Sequence, residues 1–350
     1  MKLRTFTSTR ALLILTVFFF CNLPLKAQSE ITRAELLTRV DYLQEYIEGD
    51  NIGANSGFKG KFIFFRIDGT LAEGLTYSYR QRINKPTSIQ SLFDATDFIH
   101  LTYTRGPWSM SAGKQIIATG GYEYDRAPFD LYFCSEYWYN LACFQLGVSG
   151  SYAFNEGDDK LTFQISESPF RRGALNPDNN DIYAYNLMWT GSHEWFKTTY
   201  SINVMEYAPG KYINYLALGN RFEFGDFAFE FDFINKGTNA ENFLLDDYCL
   251  IGDLCWNASD DLNVFVKVSY DRNKSVTEDL CVAAGSDVFR AGAGIEYFPI
   301  KDNRNIRLHL NCCYTDGDSP AANSLRPEQT ILNAGLTWKL DFLNIRKNNL

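Results

Sequence analysis

From Phe58 onward the chain alternates apolar and polar residues with a period of two, which restricts it to strands with one face in an apolar medium and one in water. Asp226 to Phe233 reads D-F-A-F-E-F-D-F, which puts Phe227, Phe229, Phe231 and Phe233 on one side and Ala228, Glu230 and Asp232 on the other. No helix sorts residues that way. Leu262, Val264, Val266, Val268 and Tyr270 alternate with Asn263, Lys267, Ser269 and Asp271. Ile306, Leu308, Leu310, Cys312 and Tyr314 alternate with Arg307, His309 and Asn311. Leu332, Ala334, Leu336, Trp338 and Leu340 alternate with Asn333, Gly335, Thr337 and Lys339. Each run is about ten residues long, the span of a tilted strand across a bilayer.

The connections alternate short and long. Short ones fall at Ala72-Glu73-Gly74, Arg105-Gly106-Pro107, Asn155 to Asp159, Gly191 to Glu194, Gly225-Asp226, Ser259-Asp260-Asp261 and Lys301-Asp302-Asn303. Long ones run from Asn84 to Asp97, Gly120 to Asn140, Arg171 to Asp181, Gly237 to Asp246, Lys274 to Ser286 and Asp316 to Glu328. Bacterial membrane barrels have short periplasmic turns and long outer loops. Aromatic residues flank the short class, among them Trp108, Phe154, Trp189, Trp195, Phe224, Trp256 and Tyr297, as an interfacial girdle requires. Seven short turns join fourteen strands, and two terminal strands bring the count to about sixteen. The last is Gln329 to Phe342. The first falls on Arg39 to Glu48, where Leu36, Leu37, Val40, Leu43 and Ile47 also fit a helical stripe, so strand and short periplasmic helix are both open.

Composition agrees with an all-β transmembrane antiparallel barrel. Tyr and Phe number 21 and 28, yet mean hydropathy is −0.24, so apolar side chains are plentiful but interleaved with polar ones. Residues 1–28 read as a signal peptide: Lys2, Arg4 and Arg10 precede the apolar stretch Ala11 to Leu25, which ends at Lys26-Ala27-Gln28. Residues 29–57 form an N-terminal segment, 58–342 the barrel and 343–350 a tail. About thirty residues between signal and first clear strand are too few for a plug domain. The net charge of −9 argues against a nucleic-acid partner. The expected location is the outer membrane.

Chemistry-bearing motifs are sparse. Of eight cysteines, Cys143, Cys249, Cys255 and Cys312 sit in strand-like runs as small hydrophobes, while Cys134 and Cys281 fall in loops where a disulfide is conceivable. His100, His193 and His309 have no local nucleophile motif beside them, and no ligand spacing points to a metal or cofactor. Gly292 and Gly294 would make room in the lumen. A barrel enzyme of lipase or protease type and a secreted soluble all-β protein are the rival readings, and the expectation is that the chain is not an enzyme.

The stretches Phe58 to Phe65 (FKGKFIFF), Leu75 to Asn84 (LTYSYRQRIN), Phe93 to Phe98 (FDATDF), Ser111 to Asp125 (SAGKQIIATGGYEYD) and Ser168 to Arg172 (SPFRR) resemble Bacteroidetes members of the phosphate-selective porin O and P family. The resemblance implies a sixteen-stranded, trimeric barrel with at least one loop folded into the lumen, passing small hydrophilic solutes or anions. It does not by itself imply phosphate as the solute. One departure is that Asn344 to Leu350 extends past Phe342, where barrels of this kind often end on an aromatic residue.

With the apolar face toward lipid, the lumen receives Arg80, Arg82, Lys160, Lys197, Lys267, Arg290, Arg307 and Lys339, together with Glu230, Asp232, Asp253, Asp271, Glu296 and Asp341. Neither sign dominates, so a mixed, solvated wall and an anion-selecting ladder both remain open. Gly120 to Asp130 is the most aromatic connection and is expected either to fold inward as a constriction, with Tyr122, Glu123, Asp125 and Arg126 at the eyelet, or to pack as a lid or subunit contact.

Overall fold

The computed structural model describes residues 27–85, 92–173, 176–238, 246–274, 284–318 and 328–344. Residues 1–26 of the signal-peptide reading, Cys281 and the end of the tail lie outside them. Sixteen strands form one closed antiparallel sheet. They are β1 (Ala27–Ile47), β2 (Gly57–Ala72), β3 (Leu75–Arg82), β4 (Thr96–Arg105), β5 (Trp108–Ile116), β6 (Phe144–Phe154), β7 (Asp159–Glu167), β8 (Tyr183–His193), β9 (Phe196–Ala208), β10 (Lys211–Phe224), β11 (Phe227–Gly237), β12 (Asp247–Ser259), β13 (Leu262–Asn273), β14 (Asp287–Tyr297), β15 (Ile306–Asp318) and β16 (Gln329–Asn344). A two-residue arm, Asp50–Asn51, adds to the outer end of β1.

The barrel begins at Ala27 rather than at Phe58, because β1 closes it, pairing with β16 on one edge and β2 on the other. An open sheet would leave both of those edges without hydrogen-bond partners in the membrane, which only closure avoids. Within β1 the apolar residues at helical spacing separate onto two faces: Val40, in line with Tyr42, is exposed outward, while Leu37, in line with Arg39 and Asp41, is buried inward. A shift in register at Arg39/Val40 places Lys61 in a bulge of β2, which is why β2 does not alternate cleanly in sequence.

Elsewhere the outward rows are those read from the alternation. Phe227, Phe229, Phe231, Val266, Val268, Leu308, Leu310 and Leu332 are all exposed, a surface that would be costly in water and belongs in hydrocarbon. The rings near the short turns touch each other: Trp108 lies 4.6 Å from Tyr152, Trp256 stacks on Phe227 at 5.7 Å, and Trp195 packs on Phe222 and Phe224. One outer connection breaks the short-and-long rule, since β9 and β10 are joined by Pro209 and Gly210 alone, with Gly210 at φ 72°.

The inward face is not uniformly polar. Ala184, Met205, Ile213, Tyr215, Ala217, Ile234, Cys249 and Ile251, on β8–β12, point inward and form an apolar floor. The segment between β5 and β6 (residues 117–143) lies on that floor through Ile117, Tyr124, Tyr137 and Leu141, and Phe170 and Ile182 join from the connection between β7 and β8. A porin wall has no need of an apolar patch facing water; here it faces a loop.

Candidate functional site

The inner loop enters along the wall by hydrogen bonds from its backbone. Ala118 N–H donates to Gln164 Oε1 (2.7 Å), Ala118 O accepts from Asn203 Nδ2 (2.8 Å), and Gly120 N–H donates to Ser201 Oγ (2.7 Å). Gly121, at φ 101°, packs its Cα against Gly219, where any Cβ would sit 2.9 Å away. Both the left-handed backbone and the close approach require glycine. A one-turn helix, α1 (Tyr122–Asp125), follows, and its first N–H groups are capped across the lumen by Asp232 at 2.8 and 2.9 Å. A second helix, α2 (Glu136–Asn140), is capped by Ser135, and its first N–H donates to Asp271 (3.1 Å).

Charge holds the rest. Arg126 bridges Glu230 and Asp253, each at 2.6 Å. Lys267 reaches Glu123 at 2.6 Å and the Phe133 carbonyl at 3.1 Å. Arg307 meets Asp130 (2.9 Å), Glu296 (3.1 Å) and the Phe129 carbonyl (3.0 Å). Arg39, fixed by Asp41, donates to the carbonyls of Phe129 and Leu131, and Arg290 lies 3.4 Å from Glu136. Almost every one of these wall groups is buried, so each charge is compensated by a partner, as burial demands. Gly292 leaves the space into which Phe133 of the loop projects, 2.5 Å from where a Cβ would be.

The loop therefore covers β1 and β8–β15 and leaves β2–β6 facing open space. A cavity of about 800 Å³ lies there, with Arg66, Arg80, Arg82, His100 and Phe144 on the barrel side and Tyr124, Asp125, Trp138 and Tyr139 on the loop side. It shares Lys85, Ala142, Cys143 and Phe144 with a second cavity of about 580 Å³ at the outer rim, lined also by Lys114, Arg171 and Arg172, so the two form one basic passage. Along it Arg80 is ion-paired with Asp97 (2.9 Å) and stacked on Phe64 and Phe98. Arg66 is paired with Asp68 (2.8 Å), Arg171 with Glu167 and Asp181, and Arg172 with Asp94 (2.9 Å). Among the described residues, Arg82 lies over Phe62 and donates to the Lys61 carbonyl alone, while Lys85 and Lys114 donate to the carbonyls of Asp94 and Phe93 alone. Burial lowers the Lys85 ammonium from its ordinary value, against the pull of Asp97.

A loop anchored inside a sixteen-stranded barrel, with a basic passage beside it, is the layout of a diffusion channel. The family described as phosphate-selective porin O and P matches residues 38–214. The chain belongs to that family. None of the curated proteins matches it. Among solved structures, this porin is similar to the anion-selective porin from Comamonas acidovorans (TM-score 0.64, 10% identity, 89% of this chain and 100% of that one). It is similar also to the outer membrane channel DcaP of Acinetobacter baumannii (TM-score 0.65, 10% identity, 90% and 97%). A third is OmpT, an outer membrane protein of Vibrio cholerae, in its trimer form (TM-score 0.58, 10% identity, 89% and 99%). At such identities the likeness concerns the fold. The porin is an outer-membrane β-barrel channel.

The residues expected to line the pore all lie on inward rows, but they divide into groups. Arg80 and Arg82 border the passage. Lys160 is exposed on the inward row of Thr162 and Gln164 and makes no ion pair among the described residues. Lys197 is paired with Glu223 and Lys339 lies 3.5 Å from Asp341. Lys267, Arg290 and Arg307, expected to line water, instead hold the inner loop, because the loop occupies the space they point into. Of the eyelet residues, Asp125 is exposed to the cavity, whereas Glu123 is buried, Tyr122 half-buried and Arg126 tied to the wall. Cys143 lies just before β6 rather than within a strand, and Cys134 is a buried free thiol within the loop. Sequence reasoning missed Arg66, Lys85, Lys114 and Asp97 as passage residues; Arg66 was hidden by the bulge in β2, and the others stand at strand ends where alternation fades.

Proposed function

We propose that this porin passes small hydrophilic solutes passively between the inner loop and the β2–β6 wall, with a preference for anions. The observation that carries the reading is the imbalance of unpaired charge. Among the described residues in and beside the passage, Arg82, Lys85, Lys114 and Lys160 have no carboxylate within ion-pair distance, and Asp125 is the carboxylate there without a basic partner. Inward charges of one sign bias which ions pass. Tyr122, Glu123 and Arg126 set the position of the loop, and Asp125 borders the narrowed passage.

The further parts of the reading follow from the same surfaces. The apolar outer band meets outer-membrane lipid, and three copies assemble, as in the trimer form of the Vibrio cholerae protein. The signal peptide read over residues 1–28 serves export, its last two positions overlapping the start of β1, and the net charge of −9 argues against a nucleic-acid partner. The histidines have no catalytic part: His309 is packed between Asp41 and Tyr132, His193 ends β8 at 3.3 Å from Asp159, and His100 borders the cavity beside Phe98.

The test is the reversal potential of the reconstituted porin under chloride and phosphate gradients in a planar bilayer. Anion selectivity in both salts supports the reading, and cation selectivity sinks it.

A further inference from the structure

The two sides of the passage differ in chemistry as well as in origin. The barrel side presents Arg82 and Lys85, and the buried Nε of Arg82 has no hydrogen-bond partner. The loop side presents aromatic rings. Helix α2 divides its aromatics: Tyr137 is fully buried among Tyr124, Tyr215 and the apolar floor, while Tyr139 remains 54% exposed inside the barrel. Trp138, edge-on to Tyr139 at 5.5 Å, is half-buried on the same cavity. Ring surface left in water is unfavourable. Arg290 lies over the Tyr139 ring at 5.6 Å, but Tyr124 and Tyr137 anchor the loop from within the apolar cluster, and the ring surface that stays exposed has no use in an aqueous path for inorganic ions.

We propose that the cavity is a binding site for aromatic carboxylates, with the ring against Trp138 and Tyr139 and the carboxylate toward Arg82 and Lys85. The guanidinium of Arg82 and the ammonium of Lys85, both on the cavity lining, supply donors that a carboxylate accepts, and a guanidinium is suited to such an acceptor. A flat ring gains stacking on the loop aromatics that a small inorganic or aliphatic anion lacks. The cavity, about 800 Å³, holds a single-ring anion with accompanying water. The inference deepens the anion-preference reading and rests on it.

The experiment compares benzoate with acetate as blockers of chloride current through the reconstituted full-length porin, together with the reversal potential in potassium chloride. Benzoate is expected to reduce the current at about tenfold lower concentration than acetate, the difference one stacking contact makes. The double variant Trp138→Ala with Tyr139→Ala should bring the two anions together without moving the reversal potential, and Trp138→Phe with Tyr139→Phe should restore the difference. Equal block by benzoate and acetate in an anion-selective wild-type channel overturns this inference and leaves the anion preference standing. A cation-selective reversal potential overturns both.

Discussion

The two sides of this barrel are built from the same residue types and do different things. On β1 and β8–β15, inward Arg, Lys, Asp and Glu face the loop and are paired: Arg126 with Glu230 and Asp253, Lys267 with Glu123, Arg307 with Asp130 and Glu296. On β2–β6 the inward wall faces open space, and among the described residues Arg82, with Lys85 beside it, has no carboxylate within ion-pair distance. An inward direction therefore does not make a residue pore-lining. What decides is whether another segment of the chain occupies the space ahead of it.

The largest effect should come from removing the cover. Deleting Tyr122 to Phe129 should raise single-channel conductance severalfold, and an unchanged conductance would show that the loop does not limit flow. Breaking one anchor comes next. Lys267→Met leaves Glu123 buried without its cation, which should cost about 3–5 kcal/mol in denaturant unfolding and add current noise as the loop loosens. Lys160→Met, on an exposed and unpaired cation, should leave the unfolding midpoint in place and weaken anion selectivity alone. If both substitutions destabilise alike, the division into anchors and free cations fails. A smaller effect is expected at Gly292, where Gly292→Val drives a methyl into Phe133 and should cost about 1–3 kcal/mol. Gly150→Ala, at a position with no atom within 4 Å of the added Cβ, should fall within about 0.5 kcal/mol of wild type.

Alternation made the outward surface legible, since Phe227, Phe229 and Phe231 or Leu308 and Leu310 need only a lipid neighbour, and lipid asks nothing of a particular partner. The seven short turns and their aromatic neighbours were legible for the same local reason. The interior was not. Arg126 meets Glu230 across 104 positions of sequence, and Arg39 meets the Leu131 carbonyl across 92, so no local pattern marks either as an anchor. The apolar floor of Met205, Ile213 and Ile234 obeys the opposite polarity from the rest of the inward face, and only the loop lying on it explains why. The inward location of the loop was foreshadowed by its aromatic content, whereas the split between Glu123 and Arg126, which hold it, and Asp125, which faces the cavity, depends on the turn of a single short helix.

The central claim is that unpaired cations on the open side set the selectivity. It is tested most directly by comparing the reversal potential under a potassium chloride gradient for wild type, for Arg82→Gln/Lys85→Gln/Lys160→Gln, and for Lys197→Gln, whose partner Glu223 keeps Arg221. The account predicts an anion-selective wild type, a triple variant moved to neutral or cation-selective, and an unchanged Lys197 variant. A triple variant as anion-selective as wild type would contradict it.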